Sequence, residues 1–255
     1  MKLSSRSNPL TLGEFVMGPH QPRLRGGRRG SGATTPAILV LHGGQEHSSA
    51  RTSGLQLSYL RMLDMFAGLR VQANEAAVYL LRYRVRGWNP ASAVPDPVTD
   101  TRWALDEISR RHSDAPIALL GHSMGGRTAF AVADHSQVVG VCALAPWLPQ
   151  REPLPPVRPH ARFVIAHGTA DRMTSAALSK VYARRLRAAG AAAARFEFPG
   201  AGHALLDNPT LWHRFAVRTT LGLVGDRPLP PVIAGALSKS GPDDFTMTLE
   251  DALAG

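Results

Sequence analysis

Short unbroken apolar runs alternate along the chain with segments whose apolar residues recur at helical spacing. Ala37-Ile38-Leu39-Val40-Leu41 is continuous, as expected of a strand buried on both faces. Over residues 55–69, Leu57, Leu60, Leu63, Met65, Phe66 and Leu69 trace a helix. A strand is predicted over 77–84. A helix follows over 97–112, with Val98, Trp103, Leu105 and Ile108 inward. Ile117-Ala118-Leu119-Leu120 reads as a strand and 124–135 as a helix. Strands are predicted over 138–144 and 162–167. Residues 175–189 form an Ala- and Arg-rich helix stopped by Gly190, a residue suited to the left-handed turn after a helix. A last strand is expected over 194–198 and a last helix over 209–223.

This alternation predicts an α/β fold with a mainly parallel central sheet and helices on both faces. Residues 1–35 lack the pattern and are read as an extension, with a short edge strand over 10–17 and a loop over 26–32. Residues 36–224 form the domain. Residues 225–255 form a tail rich in Pro and polar residues, acidic at Asp243, Asp244, Glu250 and Asp251. The tail either caps the fold or extends from it.

Length and composition agree with one core. The chain has 255 residues, 44% of them hydrophobic, enough for a single α/β domain. The formal net charge is +10, which raises nucleic acid or an anionic membrane as partners. Arg23, Arg25, Arg28 and Arg29 are the one dense basic stretch, and no nucleic-acid motif accompanies them. The charge therefore reads as a solvated Arg-rich surface. The lone cysteine, Cys142, lies in an apolar run and reads as a small core residue. No secretory h-region and no membrane-length apolar run is present, so a cytoplasmic location is expected. Oligomeric state is left open.

The sharpest motif is Gly121-His122-Ser123-Met124-Gly125-Gly126, set between a predicted strand and a predicted helix. A G-x-S-x-G in that setting is a nucleophile elbow. The turn strains the serine backbone and requires small residues two positions to either side. It lifts Oγ clear of the sheet. A serine hydroxyl needs a base to take its proton, and the base needs an orienting acid. Strand ends downstream supply both in the required order, Asp171 in Gly168-Thr169-Ala170-Asp171 and His203 in Gly202-His203. Each alone has a plainer reading, Asp171 as a helix cap and His203 as a surface residue. Their joint placement favours the triad.

The remaining histidines have weaker settings. His122 adjoins the serine and is expected to point away. His167 belongs to a strand end. His42 is expected to brace its loop. Leu41-His42-Gly43-Gly44-Gln45 offers backbone amides to an oxyanion. The expected donors are the amides of Met124 and Gly44, with Gln45 as the alternative to Gly44.

From about residue 36 to 223 these landmarks resemble the α/β-hydrolase superfamily, and within it the compact dienelactone-hydrolase-like esterases. The resemblance implies a Ser123–His203–Asp171 triad, no cofactor, no metal and a small-molecule acyl substrate. Members with the named lactone activity use cysteine where Ser123 stands. Residues 146–160 contain six prolines and no helical pattern, so no large cap is expected. Gln45, Trp88, Trp147, Leu148 and Met173 are candidate walls of an open site. Such a site favours small or medium carboxylic esters. Thioesters and peptides fit the same triad, and a non-catalytic binding protein is the alternative of another class.

Overall fold

The structure is a computed structural model that describes residues 21–30, 32–90, 93–239 and 246–248. Among them the chain runs β1 (Arg23–Gly26), β2 (Ala37–Leu41), α1 (Leu57–Gln72), β3 (Ala77–Arg82), α2 (Asp96–Ser109), β4 (Ile117–His122), α3 (Met124–Ala131) and β5 (Val138–Leu144). It continues through β6 (Arg162–Gly168), α4 (Ala176–Ala188), β7 (Ala192–Phe198), α5 (Pro209–Val224), α6 (Pro231–Ser238) and β8 (Thr246–Thr248). The described strands form one sheet in the order β1-β3-β2-β4-β5-β6-β7-β8. β1 is antiparallel to β3, and every other pairing is parallel. This is the α/β architecture expected from the alternating pattern.

Strands β2 and β4 are buried along their whole length, because helices cover both faces of the sheet. One core joins β-strand residues such as Ile38, Val40 and Leu120 to α1, α5 and α6, through Phe66, Trp212 and Ile233. The opposite core joins Leu39, Leu119 and Val141 to α2, α3 and α4, through Leu105, Phe130 and Tyr182. Cys142 is fully buried in the first core, and burial pushes its thiol up to about 12, consistent with a packing role.

Several elements differ from the pattern reading. The Arg-rich stretch is partly strand, since Arg23 and Arg25 sit in β1 and pair with Arg82 and Leu80. The strand expected over 10–17 lies outside the described residues. In α1 the buried face is Tyr59, Met62, Met65, Phe66 and Leu69, whereas Leu57 and Leu60 face solvent. The helix begins only at Leu57, and the stripe that meets the sheet starts at Tyr59. The segment after residue 225 adds α6, whose Ile233, Ala236 and Leu237 join the core, and β8, which pairs with β7. Among the described residues no helix is long and apolar enough to cross a membrane. No large cap is inserted between β5 and β6, where residues 146–160 run irregularly.

Candidate active site

Parallel strands place their C-terminal loops at one edge of the sheet, and three such loops meet there. β4 delivers Ser123, β6 delivers Asp171 and β7 delivers His203. Ser123 has φ 55° and ψ −118°, a conformation that side-chain-bearing residues rarely hold. The neighbouring glycines make it possible. A Cβ on Gly121 would lie 2.3 Å from the Gly125 carbonyl oxygen, and one on Gly125 would lie 2.4 Å from that of Leu41. The Ser123 N–H donates to Leu144 O at 3.0 Å, which ties the elbow to β5.

The other two loops are tied to each other. Ala170 N donates to Ala201 O at 3.0 Å, and a side chain at Gly168 would strike that same oxygen. Ser175, not Asp171, caps α4 by accepting from Leu178 N. The Asp171 carboxylate instead accepts from Met173 N and Thr174 N through Oδ1. Its Oδ2 faces His203 Nδ1 at 2.8 Å, and His203 Nε2 lies 3.0 Å from Ser123 Oγ. A carboxylate only accepts, so His203 carries its proton on Nδ1 and offers a free Nε2 to the serine hydroxyl. The three predicted residues therefore form one continuous chain of hydrogen bonds.

Two further histidines stand against it. His167, set aside as a strand-end residue, is fully buried with Nε2 3.2 Å from Asp171 Oδ2. Its Nδ1 has no partner. A proton there would be stranded, so it resides on Nε2 and points at the carboxylate. Thr174 Oγ1 donates to the same Oδ2 at 2.8 Å. Burial alone would raise the Asp171 pKa. The hydrogen bonds from His167, His203 and the Thr174 and Met173 amides outweigh it and hold the carboxyl well below the usual range. No spacing in the sequence marks His167, because its contact runs through the turn that Asp171 itself shapes.

His122 was expected to point away from the site. It instead packs beside His203, with ring centroids 4.9 Å apart, and its Nε2 donates to His203 O at 3.0 Å. Burial lowers its pKa to about 3, so it stays neutral and braces the loop. His42 braces another loop as expected. Its Nδ1 donates to Gly43 O at 2.6 Å and its Nε2 accepts from Tyr83 N at 3.2 Å.

The Gln45 amide is already committed to Arg86 O at 2.7 Å. That leaves Gly44 and Met124, the first residue of α3, as the candidate oxyanion donors. Gln45 is exposed, outside the cleft. Trp88 and Trp147 do not line it either. Both rings pack on the Arg127 guanidinium, at 4.0 and 4.5 Å, and Arg127 pairs with buried Glu152 at 2.7 Å. Leu148 is buried beside them. The loop after β5 thus folds back over α3 rather than over Ser123. Of the candidate walls Met173 alone lines the cleft, which opens above Ser123 with about 540 Å³ of space. Its other apolar walls are Leu57 and Leu60 of α1, with Ala204 and Leu206 beyond His203.

The model of the alpha/beta hydrolase family matches residues 38–252. The chain belongs to that family. No curated protein matches this chain in sequence. Solved structures share its fold. An alpha-beta serine hydrolase homologue from Coxiella burnetii is 15% identical, covers 83% of this chain and 99% of its own, with a TM-score of 0.59. An esterase from Pyrobaculum calidifontis is 16% identical over 79% of both chains, with a TM-score of 0.57. A serine hydrolase without a lid from Xanthomonas campestris is 15% identical, covers 86% of this chain and 96% of its own, with a TM-score of 0.55.

Proposed function

We propose that this hydrolase cleaves carboxylic esters by acyl transfer to Ser123 and then to water. The observation that carries the reading is the chain Asp171–His203–Ser123, at 2.8 and 3.0 Å, opening onto an accessible cleft. His203 Nε2 takes the hydroxyl proton as Oγ attacks the ester carbonyl. Ionised Asp171 stabilises the imidazolium that forms. The Met124 and Gly44 amides hold the oxyanion. His203 then protonates the leaving alcohol, activates water, and the acyl-enzyme is hydrolysed. The absence of a large cap favours small and medium substrates.

The same machinery accepts thioester and amide leaving groups, so the test is a panel. p-Nitrophenyl esters are compared with matched thioesters and anilides. Esters are expected to be turned over fastest, and His203→Ala to lower kcat/KM about 10⁴-fold. Folded protein that turns over none of the panel sinks the reading. Faster turnover of the thioesters or anilides reassigns the leaving group.

A further inference from the structure

The cleft's apolar wall is built from side chains that folding leaves in water. Among the described residues nine large hydrophobic side chains are exposed, and four of them line this one cleft. Leu57 is 83% exposed, Met173 78%, Leu206 58% and Leu60 39%. Solvated apolar residues gathered at a reactive serine mark a binding surface, where scattered ones would need no explanation.

The two sides of the cleft have different tasks. A leaving oxygen must reach His203 Nε2 to be protonated, so the leaving group departs over the His203 loop, past Ala204 and Leu206. The acyl group stays on Ser123. Beside it the cleft is walled by Gly43, where a methyl would sit 3.3 Å from Ser123 Cβ and 3.5 Å from both His122 Nδ1 and Ser58 Cβ. Ser58 belongs to α1, between Leu57 and Leu60. We propose that the acyl arm of the substrate is an uncharged hydrocarbon chain of medium length, seated on Leu57 and Leu60.

The length limit comes from the same helix. Leu57 and Leu60 span about 5 Å of axis. The cleft then meets Arg61 and Asp64. A longer chain gains no apolar contact there. The inference rests on the ester-hydrolase reading and sharpens it to one acyl class.

The experiment measures kcat/KM for p-nitrophenyl acetate, butyrate, hexanoate and decanoate, in the wild type and in Leu57→Ser/Leu60→Ser. Both leucines are exposed, and thermal melting verifies that the variant folds. Hexanoate should exceed acetate by at least about ten-fold in the wild type, with decanoate no better. The double variant should bring the hexanoate-to-acetate ratio near parity. A flat wild-type profile, or a preference that survives in the variant, overturns the inference while leaving the esterase reading intact. No turnover of any ester overturns both. A dimer that dissociates in the double variant, seen by light scattering, assigns the leucines to self-association and overturns it as well.

Discussion

Acidification from about pH 7.5 to about pH 5 should cost the protein much of its stability, mainly through two buried histidines. His42 is held neutral by its contacts, because its Nε2 must remain an acceptor for the Tyr83 N–H. Protonation would set two donors against each other. His122 donates through Nε2 and has a buried Nδ1 without a partner, so a second proton would bury an unpaired charge. Burial is the main cause of both shifts, from 6.5 to about 4 for His42 and to about 3 for His122. Below pH 6.5 the unfolded chain takes up protons that the folded chain refuses. Stability is therefore whole above that value and is lost as the pH falls toward the folded values. By pH 5 each histidine has cost about 2 kcal/mol, while Asp100, whose carboxyl burial raises to about 6, returns about 1 kcal/mol, leaving a net loss of about 3 kcal/mol. For a domain of this size that lowers Tm by about 10 °C. Melting followed by circular dichroism across this range is the assay, and His122→Gln should remove more than half of the slope. A Tm that stays level down to pH 5, or an undiminished slope in His122→Gln, would refute the reasoning.

Asp171→Asn should lower kcat about 10⁴-fold, because a neutral amide neither fixes the His203 tautomer nor stabilises its charged form; steady-state kinetics checks this. His167→Ala should lower kcat about ten-fold with KM little changed, since it removes a hydrogen bond to a buried charge, and His167→Gln should recover part of the loss. Equal loss in the two variants would mark His167 as packing alone. Gly125→Ala, whose methyl would meet Leu41 O at 2.4 Å and His42 O at 2.6 Å, should destabilise the protein by about 2 kcal/mol or more and be seen as a lower Tm.

The sheet was legible because strands covered on both faces become unbroken apolar runs, and the elbow because its constraint is local. The motif spans five consecutive residues and the clash that requires Gly121 is inside it, although the carbonyls that require Gly125 belong to Leu41 and His42 at the end of β2. Asp171 and His203 could be found because parallel strands deliver their C-terminal loops to one edge. β1 was not legible. Arg-Leu-Arg-Gly has no apolar run, and it becomes a strand only by pairing with β3, far along the chain. For α6 a signal existed, since Ile233, Ala236 and Leu237 fall at helical spacing behind Pro231, but the surrounding polar and Pro-rich composition hid it. Trp88 and Trp147 looked like walls because large aromatics often are. Their real partner, Arg127, is set by where the loop after β5 turns. Leu57 and Leu60 were read, on spacing alone, as part of one helical set of apolar residues. A helix's apolar stripe does not say where the sheet beneath it ends, and here those two side chains open onto the cleft.

The central claim is that Ser123 is the nucleophile of an acyl transfer. Intact-mass analysis after treatment with a fluorophosphonate, beside ester turnover, tests it most directly. The account predicts one adduct per chain, mapped to Ser123, with both adduct and turnover lost in folded Ser123→Ala. An adduct on another residue, or turnover retained by Ser123→Ala, would contradict it.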